Sequence, residues 1–596
     1  MRKIVFINII LTATFYTVSF SESILEIRKK YLDKKITDYY ILLSYQSEDY
    51  RDIILKDLIL FEYYLDKEEV EKAKYYGVYL SSFYPLNQLT NFRLGEFYFI
   101  KGDMEKAVSF FENCVRNDSR FHEARKSLAQ SYLFLKNYSQ AYKHFNIFSW
   151  FNPDKEILRK LDYLSNHIES SFVSSEKKFT EIKSLLNSLK TQDIPYINVG
   201  ISTKDNGNLM RIDCVKFYAS NDFVIIDERG KEIIKAKGGF ENEWTVVYRS
   251  APKIFGIISP TLNKEYRIKT KFLFIIPKIS DASFYISEYK WFKNKFPQNK
   301  EFRGSLIIKN LKDQIIVINN LPLDEYLYSV VPKEIGKNTP TEALKAQAVI
   351  ARTVALYRKK KRFHKHFDVC WGQHCQVYEG IKTEDDSSSY AVNTTLGEVI
   401  TNKDGNLENI FFHANCGGIT LSAGCFYSDD CVIYDAKESF NIDDFYKWYL
   451  FPLNLNCGPS DYVHPGTFRW LRVIKKDTLS RYLDGKYKIG KLKEILIISR
   501  RKNLYINKIK IIGTKRNKIL LTEHEIRNIV PNGSLRSSSF IVEYNKNTQT
   551  YYFWGAGWGH GIGMCQSGSC NLANEGRNYV DIIKHYYPLN EVRKIY

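Results

Sequence analysis

The chain has 596 residues, enough for several domains that each bury their own core. With 44% hydrophobic and 15% aromatic residues it is a globular composition, which excludes a disordered or low-complexity protein. The net charge of +20 is spread along the chain rather than packed into one tail and suits an acidic partner such as nucleic acid, anionic lipid or a carboxylate-bearing polymer, although a coding bias toward Lys, Ile, Asn and Tyr would produce the same balance.

Met1-Arg2-Lys3 forms a short positive region, Ile4 to Phe20 carries no charge, and Ser19-Phe20-Ser21 offers small residues for cleavage. Residues 1–21 therefore read as an export signal, with an uncleaved anchor as the alternative. No later segment is apolar enough over sufficient length to cross a membrane. Export to the periplasm or cell envelope removes nucleic acid as the expected partner and favours envelope polymers. It also permits cysteine pairing, and eight of the ten cysteines follow residue 369.

Residues 36–170 read as helical and repetitive. Leu94, Gly95, Tyr98, Ala107 and Phe111 recur 34 residues later as Tyr132, Ala141 and Phe145, and 34 earlier as Leu60, Tyr64 and Ala73, with Gly77 in place of the aromatic. This period and pattern resemble tetratricopeptide repeats, stacked helix pairs whose concave groove docks a protein partner. Residues 171–193 read as a last helix or linker. From 194 to 320 short β-rich runs follow, among them YINVGIS, TVVYRS, SLIIKN and QIIVINN.

The segment 321–380 concentrates the chemistry. Asp324 and Glu325 open one helix, Thr341 and Glu342 a second that is rich in Ala, Leu, Lys and Gln, and Glu334 falls in the break between them, beside Pro332 and Gly336. Cys370, His374 and Cys375 stand within six residues, with His364 and His366 just upstream. Such donors can supply a tetrahedral zinc site, with His364 preferred over His366 as fourth ligand; a Cys370–Cys375 disulfide is the alternative. The Gly-rich run GAGWGHGIGMCQSG lacks the spacing and βαβ context of a nucleotide-binding loop.

Four ordered segments, LPLDEYLYSVVPKE with EALKAQAVIARTVAL, FDVCWGQHCQVYEG, FFHANCGGIT and GWGHGIGMCQSG with IIKHYY, resemble the SpoIID/LytB family. The resemblance spans roughly residues 195–596 and implies a peptidoglycan lytic transglycosylase that cuts peptide-stripped glycan strands to 1,6-anhydro ends, or else a non-catalytic amidase enhancer or envelope scaffold that only grips glycan. It implies Glu334 as catalytic acid and base, with Pro332-Lys333 departing from the small residues usual before it. It implies zinc on Cys370, His374, Cys375 and an upstream His, and glycan contacts from His413, His560, Gln566, Gln376 and Tyr378. Cys565 stands where the family commonly has Ser, with Cys416 and Cys570 as candidate partners, and Arg303, Arg527 and Arg536 match family positions that suit either packing or glycan contact. The expected architecture is multidomain: all-α tetratricopeptide-like repeats, then a mixed α+β SpoIID-like module made of a β-rich lead-in (194–320) and a catalytic core (321–596).

Overall fold

The computed structural model describes residues 23–596 apart from 36–39, 83–85, 151–154, 169–177, 181–193, 261–263, 292–293, 422–432, 435–454 and 532–534. The expected export signal lies outside the described residues, as does the expected linker helix except at 178–180. Among the described residues no helix is long and apolar enough to cross a membrane.

The N-terminal part is helical: α1 (Ile24–Leu32), α2 (Tyr40–Ser44), α3 (Tyr50–Asp66), α4 (Val70–Leu80), α5 (Leu86–Ile100), α6 (Met104–Asn117), α7 (His122–Phe134), α8 (Tyr138–Ser149) and α9 (Lys155–Ser165). Sequential helices pack against each other, and the 34-residue offset persists in the caps. Asp103 at the start of α6 and Asn137 at the start of α8 both accept a backbone N–H three residues on. Gly95 explains the closeness of α5 and α6, since a Cβ there would lie 2.7 Å from the Phe111 ring.

A β-rich unit follows, built of two sheets that share one core. The larger runs, in spatial order, through Val369–Cys370, Tyr196–Gly200, Gln314–Pro322, Ser305–Leu311, Phe272–Pro277, Phe223–Ile226 and Glu232–Ala236. The smaller runs through Asn294–Arg303, Ser283–Trp291, Cys214–Ala219, Trp244–Ser250, Lys253–Ser259 and Lys264–Ile268. Trp244–Ser250 alternates buried and half-buried positions, the pattern of a strand with one covered face. Gln314–Pro322 is buried almost throughout because helices cover its other side. That strand runs directly into α10 (Leu323–Ile335), and α11 (Thr341–Lys360) returns across it. The core of the sheets continues through both helices to Val392, so residues 194–392 share one hydrophobic interior.

Asp324 on α10 and Arg352 on α11 form a fully buried ion pair at 2.6 Å, and the Tyr596 hydroxyl donates to the same carboxylate at 2.7 Å. Breaking such a pair would strand a charge in the core, so it fixes the crossing of the two helices. Two further three-stranded sheets follow: Arg469–Lys475, Thr550–Ala556 and Phe540–Asn545, and then Leu492–Arg500, Ile506–Gly513 and Asn517–Leu520. The first packs its apolar side on the helical array, Leu471, Val473, Tyr552 and Trp554 joining the same core as α3 to α7. At that junction Asp118 is buried between Arg472 and Arg536, each at 2.7 Å. Part of the surface of the helical array is thus covered by this chain's own C-terminal half.

Candidate functional site

Glu334 sits in the last turn of α10, not in the break between helices as its neighbours suggested. Pro332 lies inside the helix. It costs one backbone hydrogen bond there, but only three helical residues follow it and buried Val330 and Val331 hold the turn against the core. Gly336, at φ +99°, then ends the helix. The carboxylate is half-buried, and Oε1 accepts the Val377 N–H at 2.8 Å. Burial raises its pKa to about 7, against the opposing pull of that N–H, of Arg358 and of Lys333. Lys333 faces away enough to pair with Glu379 at 2.9 Å.

Gln376 and Tyr378 flank Val377 but turn inward. The Tyr378 hydroxyl donates to Asn319 Oδ1 at 2.6 Å, and the Tyr326 hydroxyl donates to Gln376 Oε1 at 3.3 Å. Both side chains are buried, so they fix the segment from beneath and leave its backbone to face Glu334. Arg358, Lys300, Trp371 and Glu379 complete the surroundings and are not among the residues singled out from sequence. Arg358 donates to the His374 carbonyl at 2.8 Å, and the Lys300 ammonium lies 3.8 Å from the Trp371 ring centre. Arg358 had a sequence signal: it follows the Ala-rich run of α11 on the face that meets the loop.

The loop itself holds His364, Cys370, His374 and Cys375, whose ligand atoms all lie within 4.8 Å of one another. His364 Nε2 is 3.2 Å from Cys375 Sγ, and His374 Nδ1 is 3.6 Å from Cys370 Sγ and 3.9 Å from Cys375 Sγ. A tetrahedral ion with bonds of about 2.0–2.3 Å requires donor separations of about 3.3–3.8 Å, which these donors meet with small adjustments. Both cysteines are free thiols, and His364 rather than His366 completes the set. Val369–Cys370 pairs in parallel with Val199–Gly200 and so anchors the cluster to the large sheet. Gly207, at φ +78°, makes room for His374; a Cβ there would meet Nδ1 at 2.5 Å.

His413, His560 and Gln566 form a separate group. Phe412–His413 and Met564–Cys565 are short parallel strands, and the two imidazoles stand 5.5 Å apart edge to face. His413 is only 4% exposed, whereas His560 is half-buried. Burial, reinforced by His413, lowers the His560 pKa to about 3, so that ring is neutral at ordinary pH. Gln566 Nε2 donates to Gln347 Oε1 on α11 at 3.1 Å, and this helix joins the group to the Glu334 side. Cys565 is a free thiol lying beside Cys416. Arg303 pairs with Glu384 at 2.6 Å, and Arg536 is held by Asp118, so both serve ion pairs within the chain.

Residues 311–402 match the SpoIID family, described as stage II sporulation protein, and residues 453–563 match a domain of unknown function, DUF8618. An uncharacterized protein of Brachyspira hyodysenteriae is 30% identical over 290 residues, covering 48% of this chain and 71% of that protein. Stage II sporulation protein D of Bacillus amyloliquefaciens is 28% identical over 286 residues, or 45% of this chain and 74% of that protein. The amidase enhancer of Bacillus subtilis is 28% identical over 289 residues, covering 44% of this chain and 39% of that protein. Residues 311–402 of this chain are thus a SpoIID segment.

The SpoIID match contains Glu334, its Val377 partner and all four donors of the Cys/His cluster. His560 falls within the second matched domain, while His413, Cys416 and Gln566 lie outside both. The group of His413, His560 and Gln566 thus draws on chain beyond the SpoIID segment.

Proposed function

We propose that this chain is a peptidoglycan lytic transglycosylase acting on peptide-stripped glycan strands in cell-wall remodelling. The observation that carries this is Glu334: one carboxyl group, fixed at a helix end by a backbone N–H, with a pKa raised by burial to about 7. At that value it is protonated often enough to act as an acid and ionised readily enough to act as a base at neutral pH. Protonation of the glycosidic oxygen breaks the bond from muramic C1 and releases a neutral sugar. The resulting carboxylate takes the proton of the muramic C6 hydroxyl as that oxygen bonds to C1, closing the 1,6-anhydro ring. No water enters, so the second carboxylate of a hydrolytic glycosidase has no task.

Val377 N–H stabilises the ionised form and orients the carboxylate. Lys300 and Lys333, held by Glu379, supply a positive rim for the muramic carboxylates of bare glycan. His560, neutral and half-buried with its Nδ1 taken by the Ile562 N–H at 3.2 Å, would pack against sugar without bringing charge. His364, Cys370, His374 and Cys375 would hold a zinc ion, which with four protein donors would be structural and would stiffen the loop that carries Val377. Export through residues 1–21, and a protein partner for the exposed part of the helical array, belong to the same reading.

Purified protein and its Glu334→Gln form, incubated with peptide-free glycan, test it. Mass spectrometry should find 1,6-anhydro ends from the first only. Glycan binding by both without product would replace the enzyme by a glycan-binding amidase enhancer, a reading favoured by the relative of that name.

A further inference from the structure

A second group of metal-ligating side chains lies away from the loop just described. A ring nitrogen of His413 and the sulfurs of Cys416 and Cys565 lie within 4.8 Å of one another, all three residues buried. The thiol of Cys457, itself fully buried, adjoins both sulfurs but lies outside that 4.8 Å set, so it would close on an ion by a small shift of its segment. Asn415 ties that segment in by donating from Nδ2 to the Cys457 carbonyl at 3.0 Å. The four donors come from three stretches of chain separated by tens of residues, so their meeting is a property of the fold and not of a local loop.

Two features distinguish this cluster from cysteines that merely fill a core. The first is His413. Its Nδ1 lies 3.0 Å from the Ile562 carbonyl, which can only accept, so Nδ1 carries a proton and Nε2 is the nitrogen left to bind an ion. That Nε2 is buried without a well-aligned hydrogen bond, the Cys565 sulfur being the ring's neighbour. An imidazole held by a carbonyl at one nitrogen and without a well-aligned bond at the other is the arrangement of a metal ligand. A buried nitrogen so placed is otherwise a net cost to the fold.

The second is the direction of the hydrogen bonds at sulfur. Cys565 Sγ accepts the Cys416 N–H at 3.2 Å and the Gly568 N–H at 3.3 Å, and Cys416 Sγ accepts the Gly418 N–H at 3.4 Å. Cys565 also caps the helix Gln566–Asn574, where unpaired N–H groups favour negative charge. Burial pushes both thiols up, and the backbone N–H groups aimed at sulfur work against it, towards the thiolate that binds metal.

We propose that His413, Cys416, Cys457 and Cys565 form a second, buried site for one zinc-class divalent ion, with three sulfurs and one nitrogen. Four protein donors close the coordination, so the ion is structural. It clamps the strand pair Phe412–His413 and Met564–Cys565 to the segment at Cys457, and thereby sets the glycine-rich loop that presents His560. This inference does not depend on the chain cutting glycan.

The test uses full-length protein purified under reducing conditions without chelator. Elemental analysis should show one equivalent of zinc fewer in Cys416→Ser than in the wild type, whatever the first cluster holds. Equal metal content in the two, or a Cys416–Cys565 or Cys457–Cys565 disulfide found by non-reducing peptide mapping, would overturn the proposal. Should Cys416→Ser fail to fold, cadmium NMR of cadmium-loaded wild type serves instead. A resonance in the range for three sulfurs and one nitrogen supports the site, and its absence rejects it.

Discussion

Replacing Glu334 by Gln should stabilise the protein, and only above a definite pH. In the folded chain burial raises this carboxyl to about 7 from an ordinary 4.5. Below pH 4.5 both folded and unfolded chains carry the proton, and the group contributes nothing to the pH dependence. Between 4.5 and 7 the folded chain holds a proton that the unfolded chain has lost, so stability falls as pH rises through this window. At about 1.36 kcal/mol per pH unit the loss totals about 3 kcal/mol above pH 7, to order of magnitude. Gln keeps an oxygen for the Val377 N–H and never ionises, so it escapes that loss. Glu325 and Glu123, which burial also raises to about 7, titrate alike in both proteins and cancel in the difference. Thermal unfolding of the pair from pH 4.5 to 8.5 should show nearly equal midpoints at the acid end. The variant should then gain several degrees by pH 8, at about 2–4 °C per kcal/mol for a domain of 150–250 residues. A midpoint difference that does not change with pH would refute the burial of the carboxylate, and with it the argument for an acid at neutral pH.

Asp118→Ala leaves Arg472 and Arg536 without their shared counter-ion in a dry junction. It should cost about 3–5 kcal/mol in urea unfolding and expose the junction between α6 and the sheet of Arg469–Lys475 to protease. Stripping metal with chelator should lower the melting temperature and open the loop 364–378 to protease, with zinc restoring both; an unchanged melt would remove the metal reading of the first cluster. Gly95→Ala forces a methyl group against Phe111 and should destabilise the helical array by about 1–3 kcal/mol, read in a far-UV melt.

Where local chemistry decides, the sequence was legible. Asp324 and Glu325 begin α10, Thr341 begins α11, and the run of Ala, Leu and Lys keeps α11 helical as far as Lys360. The Cys/His donors from His364 to Cys375 meet because only a short loop separates them. Glu334 was misread locally, since Pro332 and Gly336 look like a break until the buried face of α10 is known to hold the turn together. Long-range pairings left no trace in the spacing. Nothing in the sequence joins Val369–Cys370 to Val199–Gly200, or brings Asp118 to two arginines more than three hundred residues away. Cys457 belongs to none of the four recognisable segments, so its approach to Cys416 and Cys565 could emerge only from the fold. Gln376 and Tyr378 illustrate the converse: their motif pointed to a contact with substrate, but strand-like alternation around Val377 sends both side chains inward.

The junction between the halves also bears on how the helical array acts. Trp558, inside the glycine-rich run, lies between Arg120 at the end of α6 and Arg536, with ring-centre distances of 4.7 and 4.4 Å. Its backbone N–H donates to the Asn415 carbonyl at 2.7 Å, one residue from Cys416. Arg120 is kept there because Asp118, two residues earlier, is fixed by Arg472 and Arg536. A displacement of α6 would therefore pull on Trp558, and through it on the loop that presents His560. The helical array thus has a short, packed route to the loop that carries His560, through side chains that already bear on each other. The helical half supports that loop. If so, Arg120→Ala should alter glycan binding while leaving the pH-dependent stability difference at Glu334 unchanged, because only the His560 side loses its support.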